Sequence, residues 1–253
     1  MNLCCRVNDM GKKETVPQVR FKGFDGEWVQ ADAGFIFDPR DDRRHPELPV
    51  LAATQELGMV QRSKIHYDIS YDKKNAVTYK RVMPGQFVIH LRSFQGGFAH
   101  SDTEGITSPA YTVMDFKDKE THDDYFWKYV FASDRFIKRL ETVTIRDGRS
   151  IHYADFKELN FAFPKREEQE KIGRFLRELN CLISRRQEKY EKVRHLKKAM
   201  LEKMFPEDGA DVPELRFKGF TEAWKRRKLG DCFDERQECS ANGELISVTI
   251  QSG

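Results

Sequence analysis

The sequence predicts a mixed α/β domain followed by one long helix of the coiled-coil type. Residues 48–116 alternate short β-branched and aromatic runs with Pro-Gly and Gly-Gly turns, which is typical of strands. Residues 167–205 contain no proline and a single glycine, and their apolar residues recur at heptad spacing. Residues 16–28 recur at 212–224 with eight identities in thirteen positions. The repeat indicates a domain-sized unit followed by the opening of a second one.

The first half of the domain, which we expect to span 16–165 after a tail at 1–15, is predicted to be mainly strands. A short helix over 27–37 is predicted from the spacing of Trp28, Ala31 and Phe35, and a charged loop then follows at Asp38–Pro46. Strands are predicted at Leu48–Ala53, Ala76–Val82, Gln86–Leu91 and Pro109–Phe116.

Helices are predicted in the second half of the domain. Thr121 and Asp124 are spaced as a capping box, so a helix should begin there, and another should cover about Asp134–Glu141. A basic glycine loop at 145–150 then leads to a last strand, Leu159–Phe163, which is ended by a proline.

The segment 166–206 is predicted to be one helix that pairs with a partner helix. Its 39 residues from Glu167 to Phe205 would measure roughly 58 Å, which is too long for an ordinary packed helix. Folding back on its own domain is the alternative, but the length favours a partner. Two basic residues, Arg186 and Lys197, interrupt the seam. Its apolar positions are Ile172, Leu176, Leu179, Ile183, Tyr190, Val193, Met200 and Met204.

The remaining residues, 207–253, read as a linker and the start of a second repeat that stops early. At the other end, Met10 is as plausible a start as Met1. The five cysteines are scattered, which favours free thiols in a reducing cytoplasm over a disulfide or metal site. No apolar run approaches the roughly 20 residues of a membrane span.

Catalytic motifs are missing from the sequence. It contains no phosphate-loop, Gly-x-Gly-x-x-Gly, His-Glu-x-x-His or Gly-x-Ser-x-Gly pattern, and no Asn/Asp-Pro-Pro-Tyr segment for base methylation. Asp41, Asp42 and Glu47 are only a weak match to a nuclease carboxylate cluster. A net charge of +3 requires any phosphate-binding surface to be locally segregated. The chain is therefore predicted to be a reader rather than a catalyst.

Several motifs resemble one known family in their order along the chain. The runs 82–98 and 105–113 resemble the target-recognition domain of type I restriction–modification specificity (S, HsdS) subunits. Glu167-Glu-Gln-Glu-Lys-Ile-Gly-Arg-Phe-Leu176 is similar to that family's junction between domain and helix. The repeated Val-Pro-x-Val/Leu-Arg-Phe-Lys-Gly-Phe is similar to the start of each of its half-repeats.

The resemblance implies a non-catalytic, cytoplasmic DNA-recognition subunit. Family members carry two recognition domains and two helices that pair as an antiparallel coiled coil, whereas here the second domain stops about forty residues in. Methyltransferase (M) and restriction (R) subunits are the implied partners, and they would supply the S-adenosylmethionine, ATP and magnesium chemistry. We expect a half-subunit that reads one half-site of double-stranded DNA and self-associates through its helix on a gapped palindrome.

The residues expected to contact DNA are basic, amide or hydroxyl side chains on predicted loops and strand ends. Such groups bind phosphates or, for Arg and Gln, read base edges in the major groove. They are Lys73, Lys74, Tyr79, Lys80, Arg92, Ser93, Gln95, Arg146, Arg149 and Ser150.

Two alternatives stay open at this point. The chain could be a non-functional product of a truncated gene or a silent inversion cassette. It could also be a recognition fragment of a self-contained restriction–methylation enzyme, although the missing methyltransferase motifs count against that.

Overall fold

The computed structural model describes residues 3–5, 17–54, 57–65, 73–90, 97–144 and 151–235. The chain divides into two compact units, Met1–Ile183 and Ser184–Gly253. Within the described residues, no helix is both long enough and apolar enough to cross a membrane.

The first unit is mixed α/β, as predicted. Its described strands are β1 (Leu3–Cys5), β2 (Val19–Phe21), β3 (Val29–Asp32), β4 (Phe37–Arg40), β5 (Leu51–Thr54), β6 (Gly58–Gln61), β7 (Lys80–Val82), β8 (Phe87–Ile89), β9 (Phe98–His100), β10 (Gly105–Thr107), β11 (Thr112–Phe116) and β12 (Asn160–Phe163). Its helices are α1 (Ala33–Ile36), α2 (Asp124–Phe131), α3 (Asp134–Thr144), α4 (Tyr153–Phe156) and the beginning of α5 (Arg166–Lys203). Short 3₁₀ turns cover Arg62–Lys64 and Lys73–Thr78.

A four-stranded antiparallel sheet, in the order β4-β11-β8-β9, forms the centre of this unit. Side chains alternate across a strand, so each face of the sheet collects its own cluster. In β8, Phe87 and Ile89 join an aromatic core with Phe37 and Trp127, while Val88 faces a smaller aliphatic cluster. Four strand pairs surround the sheet: β1-β2, β10-β7, β12-β3 and β5-β6.

The predicted helix at 27–37 is wrong. The segment forms strand β3, the single turn α1 and strand β4. Strand β3 pairs with β12, whose residues lie about 130 positions later, so a distant partner overrides the local pattern. Phe35, expected on the buried face, is 76% exposed.

The predicted loop at Asp38–Pro46 is also wrong in its first residues. Asp38–Arg40 belong to β4 and pair with β11. Pro39 is tolerated because β4 is an edge strand, where one side needs no backbone donor.

Other predicted strands are confirmed in position but shorter. Leu48–Ala53 corresponds to β5, Gln86–Leu91 to β8, Pro109–Phe116 to β11 and Leu159–Phe163 to β12. In the predicted strand 76–82 only Lys80–Val82 is extended, since a 3₁₀ turn covers Lys73–Thr78.

The helices of the second half are confirmed, but the predicted cap is wrong. The N-cap of α2 is Asp123, whose carboxylate accepts a hydrogen bond from the Phe126 N–H at 2.8 Å. Thr121 instead donates its hydroxyl to the Asp118 carbonyl oxygen at 3.2 Å. Asp134–Glu141 lies within α3.

The long helix is confirmed as α5, which has 38 residues. In the second unit its last turns are followed by a tail that folds back on the helix end. The Leu215 N–H donates to the Lys203 carbonyl oxygen at 2.8 Å, and Phe205 meets Trp224 edge-on at 6.0 Å. A 3₁₀ turn at Leu229–Asp231 follows in the same tail.

Candidate functional site

Four of the predicted DNA-contacting residues lie in one segment. Lys73 and Lys74 open the 3₁₀ turn, Tyr79 follows it, and Lys80 begins β7. The other six lie outside the described residues: Arg92, Ser93, Gln95, Arg146, Arg149 and Ser150. We call residues 41–47, 73–81 and Glu104, which surround the start of β7, the β7 patch.

Tyr79 and Lys80 are half-buried and held by the domain itself. Tyr79 packs against a small cluster of Val50, Ala76 and Ile106. The Lys80 amine donates to the Tyr111 carbonyl oxygen at 2.7 Å, and burial lowers the pKa of this amine. Both side chains therefore fix the start of β7 in place.

Arg81 is engaged by two carboxylates of the β7 patch. Its guanidinium donates to Glu104 Oε1 from Nε at 2.8 Å and from Nη2 at 2.5 Å, and Asp42 lies 3.4 Å away. The hydrogen bond to Glu104 raises the pKa of Arg81 further above its ordinary value. Its backbone N–H also donates to the Asp42 carbonyl oxygen at 2.7 Å. The residue ties the 41–47 loop to β7.

The two aspartates of the 41–47 loop contact basic side chains of the same loop. Asp41 accepts from Arg43 at 2.5 Å, and this hydrogen bond lowers the pKa of Asp41. Asp42 lies 2.8 Å from His45 Nε2, which lowers the pKa of Asp42. Both acids thus balance neighbouring basic groups in the loop.

Arg44, which sequence reasoning missed, is the most unusual residue of the β7 patch. Its backbone φ of 74° lies in the left-handed region, which is uncommon for a residue with a side chain. The Arg44 N–H donates to the Val77 carbonyl oxygen at 3.2 Å, which holds this conformation. Strained residues of this kind concentrate at functional sites. The available sequence signal was the density of arginines in 40–44.

The predicted seam of α5 divides into a packed start and an exposed remainder. Ile172 packs against the aromatic core of its own domain, and Leu176 is half-buried. Leu179, Ile183, Tyr190 and Val193 are all exposed, and Met200 and Met204 are half-buried. Leu182 and Leu196, next to the seam, are each 56% exposed and widen the apolar stripe.

The start of α5 is fixed to its domain by polar groups; we call residues 20–24, 121–126 and 166–175 the helix junction. Arg20 forms a two-point ion pair with Glu168, with side chains only 9% and 3% exposed. Buried Gln169 donates to the carbonyl oxygens of Pro164 and Thr121, and its side-chain oxygen accepts from the Asp123 N–H. These contacts fix the first turns of α5 against the first unit.

Gly173 allows α5 to approach α2 closely. A Cβ at this position would lie 2.5 Å from an Asp123 carboxylate oxygen and 2.9 Å from the Phe126 nitrogen. The only glycine of the helix therefore sits where the N-cap of α2 meets α5.

A buried histidine organises the polar groups beside this junction. His100 Nε2 lies 2.7 Å from Asp124, and Asp102 accepts a 2.5 Å hydrogen bond from the Tyr125 hydroxyl. Burial raises the pKa of Tyr125 to about 12. The Arg177 guanidinium lies 4.7 Å from the Tyr125 ring centre, which extends the contact to α5. These contacts join β9, α2 and α5.

The chain is similar to several solved structures, but it matches no protein-family model. No protein-family model matches the chain, and no curated protein matches it. A chain from a structural study of complex assembly and conformational transition in the type I R-M system matches with a TM-score of 0.48 at 18% identity, over 74% of this chain and 48% of that one.

Two further solved structures are similar. The type I restriction-modification S subunit from M. genitalium matches at 12% identity with a TM-score of 0.45, over 71% of this chain and 46% of that one. The HsdS subunit from Thermoanaerobacter tengcongensis matches at 16% identity with a TM-score of 0.44, over 73% and 46%. The chain spans about half the length of the solved structures it matches.

Proposed function

We propose that this chain is a sequence-specific DNA-recognition subunit of a type I restriction–modification system. It reads one half-site through residues 16–165 and associates with itself and with methyltransferase and restriction subunits through α5. The observation that carries the proposal is the combination of the family-like motifs with a long helix whose apolar stripe is exposed beyond the helix junction.

The family-like motifs lie in the strands of the first unit and in the helix junction. The run 105–113 contains β10 and leads into β11, and the run that starts at Val82 leads into β8 of the central sheet. Glu168 and Gln169, which belong to the motif at 167–176, are buried polar residues of the helix junction. Motifs of this kind support the scaffold, so the bases themselves are read by neighbouring loop side chains.

The β7 patch is our candidate for phosphate contacts. Arg43 and Arg44 are exposed on its loop, next to the turn that carries Lys73 and Lys74. Phosphate contacts position a protein on the duplex and make its affinity depend on salt. Among the other predicted contacts, Arg146, Arg149 and Ser150 remain our proposal for a second phosphate-binding loop.

Catalysis is assigned to the partners. S-adenosylmethionine, ATP and magnesium would be bound by the methyltransferase and restriction subunits. The carboxylates of Asp41, Glu104 and Asp124 are held in hydrogen bonds of the scaffold.

DNA binding by the purified chain with its methyltransferase subunits tests the β7 patch. Arg44→Gly removes the cation and suits the left-handed backbone, so we expect intact folding with uniformly weaker binding to all duplexes. The slope of log K against log salt should fall by about one. Lys157→Ala, a surface cation outside the patch, is the control.

Fluorescence anisotropy over a salt series provides the measurement. If Arg44→Gly binds duplex DNA with the wild-type affinity and salt slope, the β7 patch is not a phosphate-binding surface.

A further inference from the structure

The two copies of the repeated segment have the same local geometry. The Nη1 atom of Arg20 donates to the Gly26 carbonyl oxygen at 2.7 Å, and Nη1 of Arg216 donates to that of Glu222 at 2.6 Å, six residues on in both cases. The turn that follows is also shared, with a 3.3 Å backbone hydrogen bond between the two phenylalanines of each copy. Glycine occupies the same left-handed position, with φ of 98° in one copy and 99° in the other.

The first copy is docked on the start of α5. Arg20 forms the buried pair with Glu168, and Phe21 packs edge-on against Phe175 with ring centres 5.5 Å apart. The Lys171 amine lies over the rings of both phenylalanines of this copy, 5.3 and 5.5 Å from their centres. Glu168, Lys171 and Phe175 are spaced i, i+3 and i+7, so one face of a helix makes all three contacts.

The second copy presents the same side chains, but its two phenylalanines are exposed. Phe217 is 71% exposed, whereas its counterpart Phe21 is 9% exposed, and Phe220 is 67% exposed. Among residues 17–54, 57–65, 73–90, 97–144 and 151–235, no carboxylate pairs with Arg216. The end of the helix anchors this copy through Leu215 and Glu214, and both phenylalanines stay exposed.

We propose that residues 215–220 are a docking surface for the start of a helix on another polypeptide. That helix carries a glutamate, a lysine three residues later and an aromatic residue seven residues later. The first copy and α5 provide the template, since the same side chains in the same backbone geometry already hold such a helix. Charge complementarity between Arg216 and the glutamate selects the partner, and the two phenylalanines supply the apolar contact.

We assign the occupant to a different polypeptide, because the matching face of α5 is already filled. Glu168 and Phe175 are already in contact with Arg20 and Phe21, and one helix face holds one copy of the motif. A partner with an open helix start of this composition would bury the exposed phenylalanines of the second copy.

A synthetic helix tests the docking surface on the full chain. The probe is a fluorescent peptide of residues 166–183 of this sequence, cross-linked between positions 173 and 177, which lie opposite the docking face, to hold it helical. We expect saturable binding in an anisotropy titration. Arg216→Glu should weaken binding at least tenfold, whereas Lys228→Glu, the same charge change at an exposed lysine outside residues 215–220, should stay within threefold.

Charge reversal on both sides provides the decisive control. The peptide carrying Glu168→Arg should fail to bind the wild-type chain and recover binding to the Arg216→Glu chain, whose folding is checked by circular dichroism. Absence of saturable binding, or binding indifferent to Arg216→Glu, would overturn the proposal. The experiment contains no DNA, so its outcome is separate from that of the DNA-recognition proposal.

Discussion

At the scale of single residues, the ion pair between Arg20 and Glu168 fixes the helix junction. Both side chains are almost fully removed from solvent, and they join positions 148 apart in the sequence. A buried pair is costly to break because the remaining charge loses its partner without regaining water. The repeated segment therefore stabilises the domain by holding the start of α5 in place.

Glu168→Gln is expected to destabilise the domain by on the order of 3 kcal/mol, since it leaves the Arg20 guanidinium buried without a counter-charge. Urea denaturation followed by circular dichroism measures the change. Glu170→Gln is the matched control, because the Arg166–Glu170 pair on the same helix is about 40% exposed. It should cost less than about 1 kcal/mol. Equal losses in both variants would contradict this account of the junction.

A second residue-scale prediction concerns His122, which is buried and stacks on Phe116. Burial lowers its pKa to about 4 from 6.5, and its Nδ1 accepts a hydrogen bond from the Trp127 indole N–H at 3.3 Å. Between these two pKa values the unfolded chain binds the extra proton, so stability falls as the pH decreases from 6.5 towards 4.

The loss attributable to this histidine between pH 7 and pH 5 should be about 2 kcal/mol. His122→Gln keeps an acceptor for Trp127 and removes the titration, so its unfolding free energy should change less over that range. The measurement is urea denaturation at the two pH values, with His152→Gln, at an exposed position, as the comparison. Identical pH dependence in wild type and His122→Gln would refute the assignment.

At the scale of elements, α5 could be predicted from sequence because its signal is local. Thirty-eight residues repeat one apolar spacing without a proline, and no distant partner is needed to recognise that pattern. The helix predicted at 27–37 was wrong for the opposite reason, because that segment depends on a distant partner. Strand β3 exists because β12 lies beside it, and a three- to four-residue strand carries little periodicity of its own.

The candidate site was predictable only in part for the same physical reason. Basic residues around β7 stand out in the sequence, but their engagement with Glu104 and Tyr111 depends on strands that meet only after folding. The left-handed backbone of Arg44 has no signature in residue type, because arginine rarely adopts it. The docking of Arg20 on Glu168 likewise joins the two ends of the domain.

The exposed stripe of α5 predicts self-association. Ile183→Asp combined with Val193→Asp places charges on positions that are 53% and 56% exposed and should convert a dimer to a monomer. Sedimentation velocity measures the change. Lys192→Asp, an exposed position beside the stripe, is the control and should leave the dimer intact. A wild-type chain that is monomeric at micromolar concentration would contradict self-association through α5.

At the scale of the whole molecule, we propose a division of labour in which this chain supplies recognition and assembly. Two copies related by a two-fold axis present the same reader twice, so the target should be a palindrome with a gap set by the paired helices. A target with two different halves would mean that another reader supplies the second half.

Modified-base sequencing of a host genome that encodes the methyltransferase subunits, with and without this gene, tests the central claim most directly. We predict a gapped methylated motif that is present only when the gene is present and disappears when the gene is deleted. The same methylated motifs in both strains would contradict a role in DNA recognition.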